Sequence, residues 1–180
     1  VNISDNHLPP DNIQLVPYKK VAHRTSPTNI GLYISSVLAA RDFGFIETKE
    51  LVTRLTLTID TIEKLPKWHG HLYNWYNTET LSILEPSYVS SVDSGNFVAC
   101  LIAVAAGLTE YSGEDTRIVE IINRLSSIIS GTEFVPLYDS KRKLFKVGVK
   151  IQQNKAIFDN GCYDLLMSEA RILSYVTTAS

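Results

Sequence analysis

Several residue types and patterns on which common functions depend are scarce in this sequence. The two cysteines, Cys100 and Cys162, make neither a disulfide framework nor a metal-ligand spacing, and we expect small, buried thiols in a reducing compartment. The net charge is −2 and the charged residues form no runs, which argues against nucleic acid or an anionic membrane as a partner. The longest apolar stretch, residues 97–108, is shorter than the roughly 18 to 20 residues of a bilayer span, so the chain itself is expected to be soluble.

Cofactor and metal motifs are scarce as well. Residues 93–96 contain one glycine and no lysine, so they do not form a phosphate-binding loop. His69 and His71 provide half of a metal site, but no third ligand lies near them in the sequence, and structural or rim histidines are the better interpretation. We therefore expect no metal and no cofactor.

What the sequence does contain is a succession of helical patterns. Its 180 residues, 44% of them hydrophobic, are enough for one domain with a core. Ser26 before Pro27 predicts the cap and first residue of a helix, which Gly44 ends. About five helices are expected, with starts near Pro27, Thr48, Val92, Ser112 and Tyr163. Residues 1–23 are expected to be an extended arm or linker, and a charged turn at residues 139–143 predicts a small β-hairpin.

The predicted fold class is all-α. Two helix hairpins followed by one unpaired inner helix bury their apolar faces only against neighbouring repeats, as in a solenoid or a toroid. The last predicted helix, from Tyr163, carries Leu166, Ala170, Leu173 and Val176 on one stripe. Its lack of a partner predicts that the repeat continues after residue 180.

Polar clusters occur where three of these helices are predicted to begin, at residues 24–29, 91–96 and 163–171. They recur at similar intervals, so each predicted unit brings polar groups to the same end of a helix. Between the first two lies a run of aromatic and amide side chains, residues 71–77, which neither a strand core nor a solvated loop requires. Sugar binding uses such groups.

Five segments of the chain resemble the glucoamylase-like region of bacterial cyclic β-1,2-glucan synthases of the NdvB type. They are residues 24–33, 39–44, 70–78, 88–96 and 163–171. The resemblance implies that residues 24–180 are the N-terminal half of an (α/α)6 toroid. It also implies a cytoplasmic domain of a large inner-membrane protein that carries a processive glucosyltransferase and a phosphorylase-like domain. The implied activity is cyclisation of linear β-1,2-glucan by transglycosylation.

Two carboxyl groups are the candidate catalysts, Asp93 and Glu169, because glycoside transfer needs a pair astride the scissile bond. Both are predicted at or near the start of an inner helix, where the dipole favours an anion. Asp93 could instead be a plain helix cap, and Glu169 could form a buried ion pair with Arg171 or Arg24. Asn77 departs from the family pattern, which has Asp there, and an amide cannot transfer a catalytic proton.

The candidate substrate-binding residues are of two kinds. Aromatic rings stack on the apolar faces of glucose units, and polar groups at the rim bind hydroxyls. The candidates are Tyr73, Trp75, Tyr76, Arg24, Thr28, Asn29 and Asn96. Successive side chains of an extended segment point to opposite sides, so one or two of the aromatic residues are expected in the core.

Two functions remain open at this stage: glycosidic cleavage with transglycosylation, or a non-catalytic helical module that binds glucan or scaffolds its neighbours. The expected partners are β-glucan, the rest of the toroid and adjoining synthase domains. Half a toroid would expose an apolar edge, so we expect the isolated chain to associate with a second copy through residues 163–179 or the first hairpin. We also expect it to lack measurable turnover.

Overall fold

The computed structural model describes residues 1–165 and 167–179, which contain both helices and strands. The helices are α1 (Pro27–Asp42), α2 (Thr48–Lys64), α3 (Ser91–Leu108), α4 (Arg117–Ser130) and α5 (Arg171–Ala179). The strands are β1 (Ile13–Gln14), β2 (Lys20–Val21), β3 (Arg24–Thr25), β4 (Asn74–Asn77), β5 (Ile83–Ser90), β6 (Tyr138–Asp139), β7 (Leu144–Phe145), β8 (Gly148–Gln152) and β9 (Lys155–Phe158).

A five-stranded antiparallel sheet, in the order β3-β4-β5-β8-β9, shows that the all-α prediction is wrong. The strands come from segments without a clear period: β4 has four residues and β5 contains Pro86. Short strands of this kind gain their stability from cross-strand partners that lie far away in the sequence. The charged turn does join two strands, β6 and β7, which pair through two residues each.

The helices form two layers. α3 contacts α1 on one side and α5 on the other, and α2 and α4 pack outside them as the second members of two helix hairpins. Ile30 and Ile34 of α1 and Leu101 and Val104 of α3 are completely or almost completely buried. These side chains meet where α1 packs against α3, so this contact is the centre of the core. Burial of each such side chain contributes about 1.5 to 3 kcal/mol to stability.

The segment Ser91–Tyr111, which contains α3, is long and apolar enough to cross a membrane. Its mean hydropathy is 1.5. The same helix is packed against α1, α4 and α5. A helix that is apolar on most sides is equally the hallmark of a buried core helix. Length and composition alone are therefore weak evidence for a membrane span here.

Two glycines allow the three inner helices to approach closely. A Cβ atom on Gly31 of α1 would lie 3.0 Å from Cys100 Cβ of α3. A Cβ atom on Gly95 of α3 would lie 2.6 Å from Leu173 Cβ and 2.8 Å from Leu173 Cα of α5. Any side chain at residue 95 would therefore push α5 away from α3.

The sheet fixes where α1 and α3 begin. β3 is followed by Ser26, whose hydroxyl caps α1 by accepting a hydrogen bond from the Asn29 N–H at 3.3 Å, as predicted. β5 runs directly into α3, and the cap is Ser90, the last residue of the strand. Ser91 then donates a hydrogen bond to the Lys146 carbonyl at 2.6 Å, just before β8. The starts of both helices are thus attached to the same sheet.

The last helix begins at Arg171 and not at Tyr163, so the predicted start is wrong. Residues 159–163 instead make backbone hydrogen bonds to residues 145–148. Because the backbone groups of this segment are used in strand-like pairing, they are not available for a helix. Leu166, which belonged to the predicted stripe, lies outside the described residues.

The first eight residues pack against α2. Leu8 is completely buried, and the Thr58 and Thr61 hydroxyls of α2 donate hydrogen bonds to carbonyl oxygens of this segment at 3.1 and 2.7 Å. The buried Asp5 carboxylate accepts a hydrogen bond from the Thr78 hydroxyl at 2.6 Å. This part of the arm is therefore held by specific polar contacts.

His71 is buried beside aromatic rings. Its ring centroid lies 5.0 Å from that of Phe134 and 6.0 Å from that of Trp68. Nε2 donates a hydrogen bond to the Glu133 carbonyl at 2.9 Å, and Nδ1 is buried with no hydrogen-bond partner in the described part of the chain. Burial lowers the pKa of His71 to about 4.

His71 predicts a loss of stability on mild acidification. The pKa of His71 is about 4 in the folded chain, whereas that of an ordinary histidine is 6.5. The unfolded chain therefore binds the proton first as the pH falls. The free energy of unfolding should fall from about pH 6.5 to about pH 4, by up to about 3 kcal/mol. Urea unfolding of the wild type and of His71→Phe at several pH values gives two curves of the free energy of unfolding against pH. The difference between these curves measures the contribution of His71. Parallel curves would contradict the prediction.

Gly95→Ala should lower the free energy of unfolding by about 1 to 3 kcal/mol, because its methyl group would meet the α5 backbone. Gly107→Ala, in the same helix, is the matched control. Its methyl group would meet the movable end of the Leu38 side chain, with Cδ2 nearest at 2.6 Å. Both substitutions replace a glycine of α3 by alanine, and urea unfolding compares a contact with the α5 backbone against a contact with a side-chain end. Equal effects would show that α5 is not held closely against α3.

Candidate functional site

Three carboxyl groups lie around one phenol at the end of the helix layer where α3 and α5 begin. Burial, followed by the charges of Asp93, Glu169 and Asp159, raises the pKa of Tyr163. A charge acts in this way only from nearby, so the three carboxyl groups share one region. We call Asp93, Asp159 and Glu169 the carboxyl cluster.

Asp93 lies in the first turn of α3 and is half-buried. The helix cap is Ser90, whose hydroxyl accepts a hydrogen bond from the Asp93 N–H at 3.2 Å. The alternative role of Asp93 as the cap is therefore not the observed one. Its Oδ1 atom accepts a hydrogen bond from the Thr28 hydroxyl of α1 at 2.7 Å, which orients the carboxylate between two helices.

Thr28 is itself held by a third side chain. Nδ2 of Asn96, one turn after Asp93, donates a hydrogen bond to Thr28 Oγ1 at 3.3 Å. The amide supplies a proton to the Thr28 oxygen, so the hydroxyl directs its own proton to Asp93. Thr28 and Asn96 were predicted to bind sugar hydroxyls, and the structure places both beside Asp93.

Glu169 is exposed in the turn that precedes α5, and its carbonyl accepts a hydrogen bond from the Ile172 N–H at 3.1 Å. A helix that began at Tyr163, as predicted, would contain Glu169, but α5 begins at Arg171, after it. Its exposure also shows that it is not half of a buried ion pair. A carboxylate just before a helix is favoured by the helix dipole.

Asp159 and Tyr88 complete this region, and sequence reasoning missed both as site residues. The Tyr88 hydroxyl donates a hydrogen bond to Asp159 Oδ2 at 2.6 Å. Burial, this bond and nearby charges, including that of Asp93, raise the pKa of Tyr88 above its usual range. Asp159 stands in a polar turn after β9, and no periodicity or motif marks it.

Arg24 and Trp75 lie together at the edge formed by β3 and β4. The Arg24 guanidinium carbon is 4.8 Å from the Trp75 ring centroid. Asp11 Oδ2 accepts two hydrogen bonds from Arg24, at 2.9 and 3.1 Å, and its Oδ1 accepts one from Asn29 at 3.4 Å. The predicted rim residues Arg24 and Asn29 are therefore tied together through Asp11, which was not predicted.

The other two aromatic candidates belong to the core. Tyr76 is completely buried, donates a hydrogen bond to the Pro66 carbonyl at 2.5 Å and accepts one from the Tyr73 N–H at 2.9 Å. Burial raises its pKa above the usual range. Tyr73 is also buried, with its ring at an edge-to-face angle to that of Tyr76. The half-buried Trp75 therefore remains as the aromatic side chain at the rim.

Asn77 has a structural role in the turn after β4. Its Oδ1 atom accepts hydrogen bonds from the Glu79 and Thr80 N–H groups, at 2.8 and 2.9 Å. An aspartate would accept the same bonds. The departure from the family pattern is therefore compatible with the local fold.

A separate groove of about 820 Å³ lies between α5 and the segment that leads into the β6–β7 hairpin. Phe134, Tyr138 and Phe145 line one side, and the described lining does not include the carboxyl cluster. Within residues 1–165 and 167–179, no group of three or more His, Cys, Asp or Glu side chains is arranged to hold a metal ion. The chemistry available at the cluster is that of carboxyl and hydroxyl groups.

Solved structures of other proteins show the same fold. The endo-β-1,2-glucanase of Talaromyces funiculosus in complex with sophorose superposes with a TM-score of 0.76 and 12% identity, over 97% of this chain and 42% of that one. The β-1,2-glucanase of Parabacteroides distasonis gives 0.74 and 16%, over 89% and 23%. The chain thus has a glycoside hydrolase-like fold.

Residues 13–135 match the family described as "Protein of unknown function (DUF3131)", and the chain belongs to that family. Over 112 residues it is 54% identical to the cyclic β-(1,2)-glucan synthase NdvB of Rhizobium meliloti strain 1021. The resemblance seen in the sequence is therefore confirmed. The aligned region covers 62% of this chain and only 4% of that protein.

The hydrogen bond from the Thr28 hydroxyl of α1 to Asp93 of α3 should contribute measurably to stability. Thr28→Val keeps the shape of the side chain but removes the donor to Asp93, and should lower the free energy of unfolding by about 1 kcal/mol. Thr28→Ser keeps the hydroxyl, and its free energy of unfolding should fall clearly less. Urea unfolding of both variants measures the difference. A larger loss in Thr28→Ser than in Thr28→Val would show that the methyl group matters more than the hydrogen bond.

Proposed function

We propose that this chain contributes the carboxyl cluster of a domain that cleaves and transfers glycosidic bonds of linear β-1,2-glucan, with cyclisation as the outcome. The observations that carry the proposal are the Asp93 carboxylate, held at the start of α3 by the Thr28 hydroxyl at 2.7 Å, and the nearness of Asp93 and Glu169 to the same phenol, Tyr163, on whose pKa both charges act. The identity to a cyclic glucan synthase and the shared fold with β-1,2-glucanases support the substrate class.

Asp93 and Glu169 divide the chemistry between them. One protonates the leaving glycosidic oxygen, and the other attacks the anomeric carbon or activates the acceptor. The Thr28 hydroxyl binds one oxygen of Asp93 and so fixes the orientation of its carboxylate. The exposed Glu169 can approach a glucan from the α5 side.

Trp75 and Arg24 provide the sugar-binding rim. The indole ring offers an apolar surface for a glucose unit, and the guanidinium group that lies over it offers donors for hydroxyls. Asp11 holds Arg24 and Asn29 in one arrangement, which reduces the ordering cost of binding. Thr28 and Asn96 support Asp93, while Tyr73 and Tyr76 anchor the strand that carries Trp75.

The chain spans 42% or less of each structural neighbour described above. We therefore propose that it functions with further parts of its domain and with adjoining synthase domains at the cytoplasmic side of the membrane. Turnover should need the full domain. The sugar-binding rim and the carboxyl cluster belong to this chain.

The second candidate is a non-catalytic glucan-binding or scaffolding module. Internal satisfaction of polar groups favours it: Arg24 is paired with Asp11, and Asp93 accepts from Thr28. Such pairs also occur in active sites that are ordered before substrate binds. The two candidates differ in what the carboxyl groups do to a glucan.

Product analysis separates them. Linear β-1,2-glucan is incubated with the full domain that contains this chain and with its Asp93→Asn and Glu169→Gln variants, and the products are followed by mass spectrometry. Loss of a general acid or nucleophile should lower the rate at least about a hundredfold. Glu120→Gln, an exposed carboxyl on α4, is the control and should leave the rate unchanged. Identical products and rates in all four proteins would favour the scaffold.

A further inference from the structure

We propose that Asp159 and Tyr88 form a binding site for two adjacent hydroxyl groups of one glucose unit, beside the reactive carboxyls. This inference rests on the proposed function and assigns a role to residues that the proposed chemistry leaves unused. It defines which part of the sugar is recognised.

The hydrogen bond between the two side chains determines what they can still bind. Tyr88 uses its only proton on Asp159 Oδ2, at 2.6 Å. The phenol oxygen and the second carboxylate oxygen then have lone pairs but no proton to offer. Together they form a pair of acceptors, which suits a ligand that presents two neighbouring donors.

The pair is held in place before any ligand binds. The Asp159 N–H donates a hydrogen bond to the Gly148 carbonyl at 3.0 Å, which ties the turn to the start of β8. The Tyr88 hydroxyl occupies the space above Gly148, where a Cβ atom would lie 2.1 Å from it. Only glycine at residue 148 leaves room for this arrangement.

Its location fits a sugar unit next to the reactive bond. Asp159 is one of the three charges that act on Tyr163, together with Asp93 and Glu169, and the Asp93 charge also acts on Tyr88. Both Asp159 and Tyr88 are half-buried, so a ligand can reach them. A glucose unit bound here would place an adjoining linkage near the reactive carboxyls.

The linkage of the glucan determines which hydroxyls are available. In an internal β-1,2-linked unit, the oxygens on C1 and C2 belong to glycosidic bonds. The only adjacent hydroxyl pair left is on C3 and C4, and each of these groups can donate one hydrogen bond. Two acceptors a few ångströms apart therefore match the C3 and C4 edge of the unit.

The alternative is a purely structural role, in which the bond fastens the end of β9 to β5. Such a role would change stability without changing sugar affinity. A test must therefore compare affinity with stability and must include a ligand that lacks one of the two hydroxyls.

Isothermal titration of the full domain that contains this chain, with sophorotriose and with its analogue lacking the 4-hydroxyl groups, provides this test. Asp159→Asn and Tyr88→Phe should each weaken sophorotriose binding about tenfold or more, since each disturbs a hydrogen bond to a charged group. Asp164→Asn, an exposed carboxyl in the same segment, is the control and should bind as the wild type does. The deoxy analogue should bind weakly to the wild type, and Tyr88→Phe should weaken its binding little further.

Each outcome has a distinct meaning. Wild-type affinity in both variants, with only a lower melting temperature, would overturn the inference and leave the proposed function intact. The same holds if the analogue binds as tightly as sophorotriose. Failure of the wild type to bind sophorotriose would instead contradict the proposed substrate class. Circular dichroism spectra identify any variant that fails to fold, and the analogue then decides alone.

Discussion

The direct passage from a strand into a helix is the constraint on which the site depends. β5 ends at Ser90, and the same residue caps α3, so the sheet and the central helix share one rigid junction. Ser26 makes the corresponding junction at the start of α1. Because both junctions belong to one sheet, Thr28 and Asp93 meet at hydrogen-bond distance although 65 residues separate them in the sequence. Precise side-chain geometry here follows from backbone attachment.

Close helix packing extends this arrangement to the third inner helix. The small residues Gly31 and Gly95 let α1 and α5 approach α3 on its two sides. α5 thereby brings the turn that contains Glu169 towards the start of α3. Glu169 is exposed and Asp93 is half-buried, so the two carboxyl groups have different surroundings.

The helix pattern and the polar clusters could be predicted from the sequence, whereas the sheet could not. Ser26, Pro27 and the apolar stripes act locally, so their signals lie within a few residues of one another. Strand β5 depends on partners far along the chain, and Glu85 and Pro86 interrupt its apolar pattern. Asp159 acquires a place in the site only because the β8–β9 hairpin folds back, and Glu169 was predicted in the right region but in the wrong local structure.

The two phenols beside the carboxyl cluster keep their protons over a wide pH range. Tyr88 and Tyr163 both have raised pKa values, since burial and the surrounding negative charges oppose loss of their protons. Both rings therefore stay neutral well into the alkaline range, and Tyr88 continues to act as a donor there. The hydrogen bond that joins β5 to the turn after β9 therefore persists at alkaline pH values at which an exposed phenol would already have lost its proton.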